Sequence, residues 1–239
     1  MDEQFIRTQM LLGAPAMERL QTSHVAVLGL GGVGSWCAEA LCRSGVGQLT
    51  LADQDTVSVS NLNRQSAAVW STVGMEKARA SALRLSDIAP GCILRPLCLR
   101  YEPDSRESFF QAKYDYIVDA IDLVSCKLDL IETAHARGVP IISALGTGNK
   151  RDAQLLRIAD ISQTEGCPLA RVVRKELRRR GIPHHKVVFS PEPARSAENG
   201  DEAPPPGRRS IPASAMWVPA TAGLLLAQAV ILDLAVPFS

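Results

Sequence analysis

The chain is 239 residues long, 46% hydrophobic and nearly balanced in charge, with 26 Lys and Arg against 25 Asp and Glu. Such a length buries a full core without staples, and the balance excludes a general basic coat for nucleic acid, so any basic site must be local. The six cysteines, at 37, 42, 92, 98, 126 and 167, contain no C-x-x-C pair, which excludes a zinc ribbon or a thioredoxin-type couple and reads as reduced thiols.

The start, Met1-Asp2-Glu3-Gln4, has neither a basic region nor an apolar run, which makes the cytoplasm the expected compartment. His24 to Gly29 reads as a buried strand and Val33 to Ser44 as the helix after it; Gln48 to Asp53 is the next strand. Met75 to Ile88 carries Ala78, Ala82, Leu85 and Ile88 at helical spacing until Pro90-Gly91 stops it, and Ile93 to Leu99 is the third strand. Tyr116 to Ala120 is the fourth strand, Ser125 to Arg137 a helix closed by Gly138, and Pro140 to Ala144 the fifth strand. The repetition predicts an α/β fold: a Rossmann-like, mostly parallel sheet with helices on both faces and ligands at the carboxyl ends of its strands.

Beyond Gly146 the rhythm changes to a strand over Leu155 to Ile161, a basic helix over Leu169 to Arg180 and a strand over Lys186 to Ser190. This reads as a C-terminal substrate-side extension completing the sheet, so that 1–239 is one domain with a nucleotide-binding half, 1–150, and a substrate-side half, 151–239. Pro191 to Pro212 is rich in Pro, Glu, Gly and Ser and is expected to be a mobile loop. Met216 to Leu232 is apolar, but its about 17 residues fall short of the ~20 that span a bilayer. With Pro219, Gln228 and Asp233 in or beside it, it reads as a buried helix closing the sheet, with no stable membrane insertion.

Gly29-Leu-Gly31-Gly32-Val-Gly34 satisfies G-x-G-x-x-G after a strand and before a helix, where small residues admit phosphates to the backbone and the helix N-terminus favours negative charge. Asp53 follows after about 20 residues, where a carboxylate accepts from ribose hydroxyls. To that point NAD and ATP are equally served. Ser60-Asn61-Leu-Asn63-Arg64-Gln65 and Lys77 favour ATP, because a triphosphate needs cations and a nicotinamide half does not. Asp122, after the fourth strand, is placed to hold magnesium against the phosphates, with helix capping the alternative; Asp119 reads as structural.

These motifs, G-x-G-G-x-G, D-x-D, S-N-x-N-R-Q, a downstream Lys and D-A-x-D in order over about residues 5 to 150, resemble the ThiF/MoeB/HesA superfamily of ubiquitin-activating-like adenylating enzymes. The resemblance implies ATP and magnesium as cofactors. It puts Gly32 against the nucleotide, Asp53 on the ribose, Asn61, Arg64 and Lys77 on the phosphates and Asp122 on magnesium. It also implies a homodimer in which Arg7, in Phe5-Ile-Arg-Thr-Gln, reaches the partner's site, and it raises a sulfur-transfer protein as a further partner.

Sulfur-carrier adenylating members of the superfamily usually carry two C-x-x-C pairs, and this chain has none. Gly146 to Asp152, Ala159 to Ile161, Pro168 to Ala170, Val173 to Arg178 and Val218 to Gly223 are similar instead to the tRNA threonylcarbamoyladenosine dehydratase subgroup. Ala153 and Gly166-Cys167 depart from its usual pattern. The expected substrate is tRNA whose adenosine beside the anticodon carries a threonylcarbamoyl group. On the basic helix, Arg171, Arg174, Lys175 and Arg178 fall on one face opposite Leu169, Val172, Val173 and Leu177, an outward stripe suited to a phosphate backbone. The competing readings are adenylation of a carrier protein's C-terminus and an NAD(P)-binding sensor module without chemistry.

Overall fold

The computed structural model describes residues 2–195 and 212–235. Most of the loop expected over 191 to 212 lies outside the described residues.

A 3₁₀ turn, Glu3–Phe5, leads into two short helices, α1 (Ile6–Leu12) and α2 (Ala14–Thr22), which the sequence reading had not marked. Then follow β1 (His24–Leu28), α3 (Gly34–Arg43), β2 (Gln48–Ala52), α4 (Lys77–Ile88), β3 (Ile93–Leu97), α5 (Arg106–Phe109), β4 (Tyr116–Asp119), α6 (Val124–Ala136) and β5 (Ile141–Ala144). The second half contributes β6 (Arg157–Asp160), α7 (Pro168–Arg179), β7 (Lys186–Phe189) and α8 (Trp217–Ala235).

The seven strands form one sheet in the order β3-β2-β1-β4-β5-β7-β6. Every neighbouring pair is parallel except β6 with β7. The order reverses between β1 and β4, the place where a doubly wound sheet opens a crevice above its strand ends. Register sharpens that crevice: Leu28 pairs with Ala52 on one side and Asp119 on the other, so Gly29, Asp53 and Ala120 leave the sheet side by side. β3 stops at Leu97, short of the expected Leu99, and tolerates Pro96 because it is an edge strand.

Alternation along β1 divides the core between the two faces. Val25 and Val27 pack with Leu41, Leu49 and Leu51 and with Val218, Leu226 and Val230 of α8, while Ala26 and Leu28 pack with Ile117, Leu130, Ile131, Val173 and Val187. α8 is long and apolar enough to cross a membrane by length and composition, yet Val218, Ala222, Leu226 and Val230 are buried in this core. It crosses α3 closely, because a Cβ added at Gly223 would stand 2.4 Å from the Val33 carbonyl oxygen. On α7, Ala170, Val173 and Leu177 are buried. Val172, expected on the apolar face, is instead exposed, because the buried stripe at i, i+3 and i+7 leaves it to one side.

Candidate active site

The turn from β1 to α3 owes its shape to two close approaches. Gly29 has φ of +87°, and a Cβ there would lie 2.6 Å from the Ala120 carbonyl oxygen; at Gly34 it would lie 1.8 Å from that of Gly29. Only glycine fits at either position. Gly31 differs, since a Cβ there would have nothing within 4 Å: this residue faces open space above the sheet. Gly32 abuts Pro219 of α8 and the aliphatic stem of Arg64, at 3.2 and 3.4 Å from its added Cβ.

Asp53 ties the glycine turn to β2. Its Oδ2 accepts from the Leu30 amide at 2.6 Å and its Oδ1 from the Asp55 amide at 2.8 Å. Burial pushes its carboxyl above the ordinary aspartate range, against the opposing pull of Lys77 and the two amides. Lys77, the first residue of α4, is buried, and its Nζ lies 2.9 Å from Asp55 Oδ2. Its charge also acts on Asp53, so one ammonium bears on both carboxylates of the D-x-D motif.

The S-N-x-N-R-Q segment folds over the same end of the sheet. Asn61 is buried in a 3₁₀ turn, Val59–Asn61, and its Oδ1 accepts from the Ser58 amide at 3.2 Å. Arg64 donates through Nη1 to the Ser60 carbonyl and to Asn63 Oδ1, both at 2.8 Å, while Trp36 Nε1 holds the Arg64 carbonyl at 2.8 Å. Asn63 Nδ2 donates to the Ser214 carbonyl at 3.0 Å, joining this loop to the segment before α8. Behind it, Glu39 is buried and takes bonds from Ser66, Arg43 and Arg84. Its carboxyl feels desolvation upwards, but those bonds hold it below the usual glutamate range.

Asp122 is exposed in the loop after β4, and Leu123 rather than Asp122 occupies the N-cap of α6, without a side-chain cap. Asp119 is fully buried, paired through Oδ2 with Lys127 Nζ at 2.6 Å. Among the described residues no three His, Cys, Asp or Glu groups converge on a metal position. Magnesium takes one or two protein carboxylates and draws its other ligands from phosphates and water, and the exposed Asp122 carboxylate is of the type it takes. The glycine turn and Asp53 leave the strand ends at the β1/β4 switch point, Arg64 packs on Gly32 and Lys77 pairs with Asp55, while Asp122 lies in the loop after β4 and Asn61 in the turn before Arg64. Two cations, Arg64 and Lys77, with the glycine turn and the carboxylates of Asp53, Asp55 and Asp122, can bind a polyphosphate and stabilise charge developing on it.

Other expected residues lie elsewhere. Arg7 is on α1, which buries none of its residues, beside exposed Ile6, Met10 and Leu11. On α7, Arg171, Lys175 and Arg178 are exposed. Arg174 departs from the outward stripe: half-buried, it donates through Nη1 to the Thr164 carbonyl at 2.5 Å and to Thr164 Oγ1 at 2.6 Å, bracing the turn before the helix. Cys167 caps α7, its buried Sγ accepting from the Ala170 amide at 3.5 Å.

Two buried lysines had no role assigned from the sequence: Lys127, and Lys150 within the Gly146 to Asp152 motif. Lys127 interrupts the buried run Cys126, Leu128, Leu130 and Ile131 of α6, a signal that was available. Lys150 donates to the Ser190 and Glu192 carbonyls, both at 2.7 Å, partners that no local pattern announces.

A family model described as the ThiF family matches residues 5–230. The tRNA threonylcarbamoyladenosine dehydratase of Bacillus subtilis is 41% identical over 239 residues, 97% of this chain and 94% of that protein. Crystal structures of Escherichia coli tRNA N6-threonylcarbamoyladenosine dehydratase, TcdA, superpose with a TM-score of 0.87 in complex with ATP, at 32% identity over 97% of this chain and 93% of that one. The complex with AMP gives 0.88, at 31% identity over 97% and 94%.

Proposed function

The chain belongs to the ThiF family, and from that premise we propose that it is an ATP-dependent adenylating enzyme that cyclises threonylcarbamoyladenosine in tRNA, beside the anticodon, with net loss of water. The observation that carries this reading is the likeness to threonylcarbamoyladenosine dehydratases along nearly the whole chain, substrate-side half included. A cytoplasmic location goes with this reading.

The threonylcarbamoyl carboxylate attacks the α-phosphorus of ATP and pyrophosphate leaves. The neighbouring carbamoyl group then closes on the activated carbonyl and AMP departs. The residues position and neutralise. Asp53 keeps a second lone pair on each oxygen, free for ribose hydroxyls even while Leu30 and Asp55 donate to it. Lys77 exchanges the Asp55 carboxylate for phosphate oxygens, and Arg64 turns its guanidinium from Ser60 and Asn63 to the same charge. Magnesium, held by Asp122, would supply further neutralisation of the phosphates. Arg171, Lys175 and Arg178 take the tRNA backbone. The exposed apolar side chains of α1 support a homodimer that carries Arg7 to the partner's crevice.

Pyrophosphate release in the presence of ATP tests the substrate. Threonylcarbamoyl-modified tRNA is expected to drive it, and a carrier protein ending in Gly-Gly is not. Release with the carrier alone would replace this reading with carrier adenylation, and calorimetric binding of NAD but not ATP would replace it with a sensor module.

A further inference from the structure

The Asp119–Lys127 pair stands directly beneath the crevice and takes no part in the chemistry above. Both side chains are fully buried. Lys127 Nζ donates to Asp119 Oδ2 at 2.6 Å and to the Ala144 carbonyl at 3.0 Å, which joins the carboxyl ends of β4 and β5. Asp119 Oδ1 accepts from the Ile121 amide at 3.0 Å, fixing the first bend of the loop that ends at Asp122. From the other side, Ala120 donates to the Leu28 carbonyl at 2.8 Å and leaves Gly29 no room for a Cβ.

Stability alone is a poor reason for such a pair. Replacing a buried ion pair by apolar side chains of similar volume is often neutral or stabilising, whereas removing one partner strands a charge. What apolar side chains cannot do is accept from the Ile121 amide and aim the loop in one direction.

We propose that Lys127 is a positioning residue: through Asp119 it sets the loop that presents Asp122 to the nucleotide's magnesium. The inference rests on the magnesium role proposed for Asp122. It resembles the outer partners of metal ligands, whose loss typically costs about 10- to 100-fold in metal affinity.

The test is the ratio of the ATP dissociation constant without magnesium to that with magnesium, measured by calorimetry on the full-length protein alongside a thermal melt. Lys127→Met is expected to lower the ratio about tenfold while magnesium-free ATP binding changes less than about twofold. The double variant D119L/K127M strands no charge, so it is expected to melt near the wild type and still show the lowered ratio; it carries the measurement if the single variant does not fold. A double variant with both wild-type melting and a wild-type ratio would overturn the positioning role. Asp122→Asn separates the two levels. A lowered ratio there with a wild-type ratio in the double variant sinks the present inference alone, and a wild-type ratio in Asp122→Asn sinks the magnesium assignment and this inference together.

Discussion

His185 stands apart electrostatically. It is buried, with Nε2 2.8 Å from Ser143 Oγ and Nδ1 3.4 Å from His135 Nε2. Burial first, then the positive potentials of His135 and Lys127, push it down to about 3, with Asp160 opposing. In the unfolded chain the same imidazole takes a proton near its ordinary value of about 6.5. Between the two values the unfolded state binds the extra proton, so stability must fall as pH falls below about 6.5 and be unaffected by this group above it. From pH 6.5 to 5 the loss is at most about 2 kcal/mol. His185→Gln is expected to flatten the dependence of melting temperature on pH over that interval; parallel slopes in variant and wild type would rule the effect out. Single residues differed in how openly the sequence displayed them. The tight turn at Gly29 and Gly34 was readable in the glycine spacing, because only a residue without a Cβ fits either position; the nucleotide roles of Asp53, Arg64, Lys77 and Asp122 are what we propose from the same spacing. The bracing role of Arg174 was not, because Thr164 reaches it through a turn that helical periodicity does not see.

At the scale of elements, α7 and α8 behave differently. α7 is amphipathic, and its exposed cations Arg171, Lys175 and Arg178 are the part of the stripe available to a polyanion. Reversing these three to Glu is expected to weaken tRNA binding at least about tenfold and flatten its salt dependence, with ATP affinity unchanged in calorimetry. Equal loss of both ligands would make the stripe a structural face. α8 shows no amphipathic stripe because it is apolar nearly all round, as a helix packed among others should be. Its tight spot is Gly223, so Gly223→Ala is expected to cost about 1–3 kcal/mol in denaturant titration. It should also weaken ATP binding, because Val33, the residue it meets, belongs to the glycine turn. Unchanged stability would mean the two helices separate freely. The positions of α3, α4, α6, α7 and α8 were legible from period and stop signals, and the four-residue α5 was not. α1 and α2 escaped notice because they are short and broken at Gly13, whose φ is +84°.

For the molecule as a whole, the alternation of strands and helices was enough to give the parallel sheet and hence the crevice. It could not give the order β5-β7-β6 or the reversed direction of β6, since both depend on partners far along the chain. That far edge is where residues 151–239 join the sheet, so both halves of the chain share one framework. On the function proposed above, this framework converts threonylcarbamoyladenosine to its cyclic form at the expense of ATP. Mass spectrometry of nucleosides from modified tRNA, digested after incubation with the protein, ATP and magnesium, tests it most directly. The cyclic nucleoside, lighter by one water, is expected to appear with ATP and be absent without it. Unaltered threonylcarbamoyladenosine after incubation with folded, ATP-binding protein would contradict the claim.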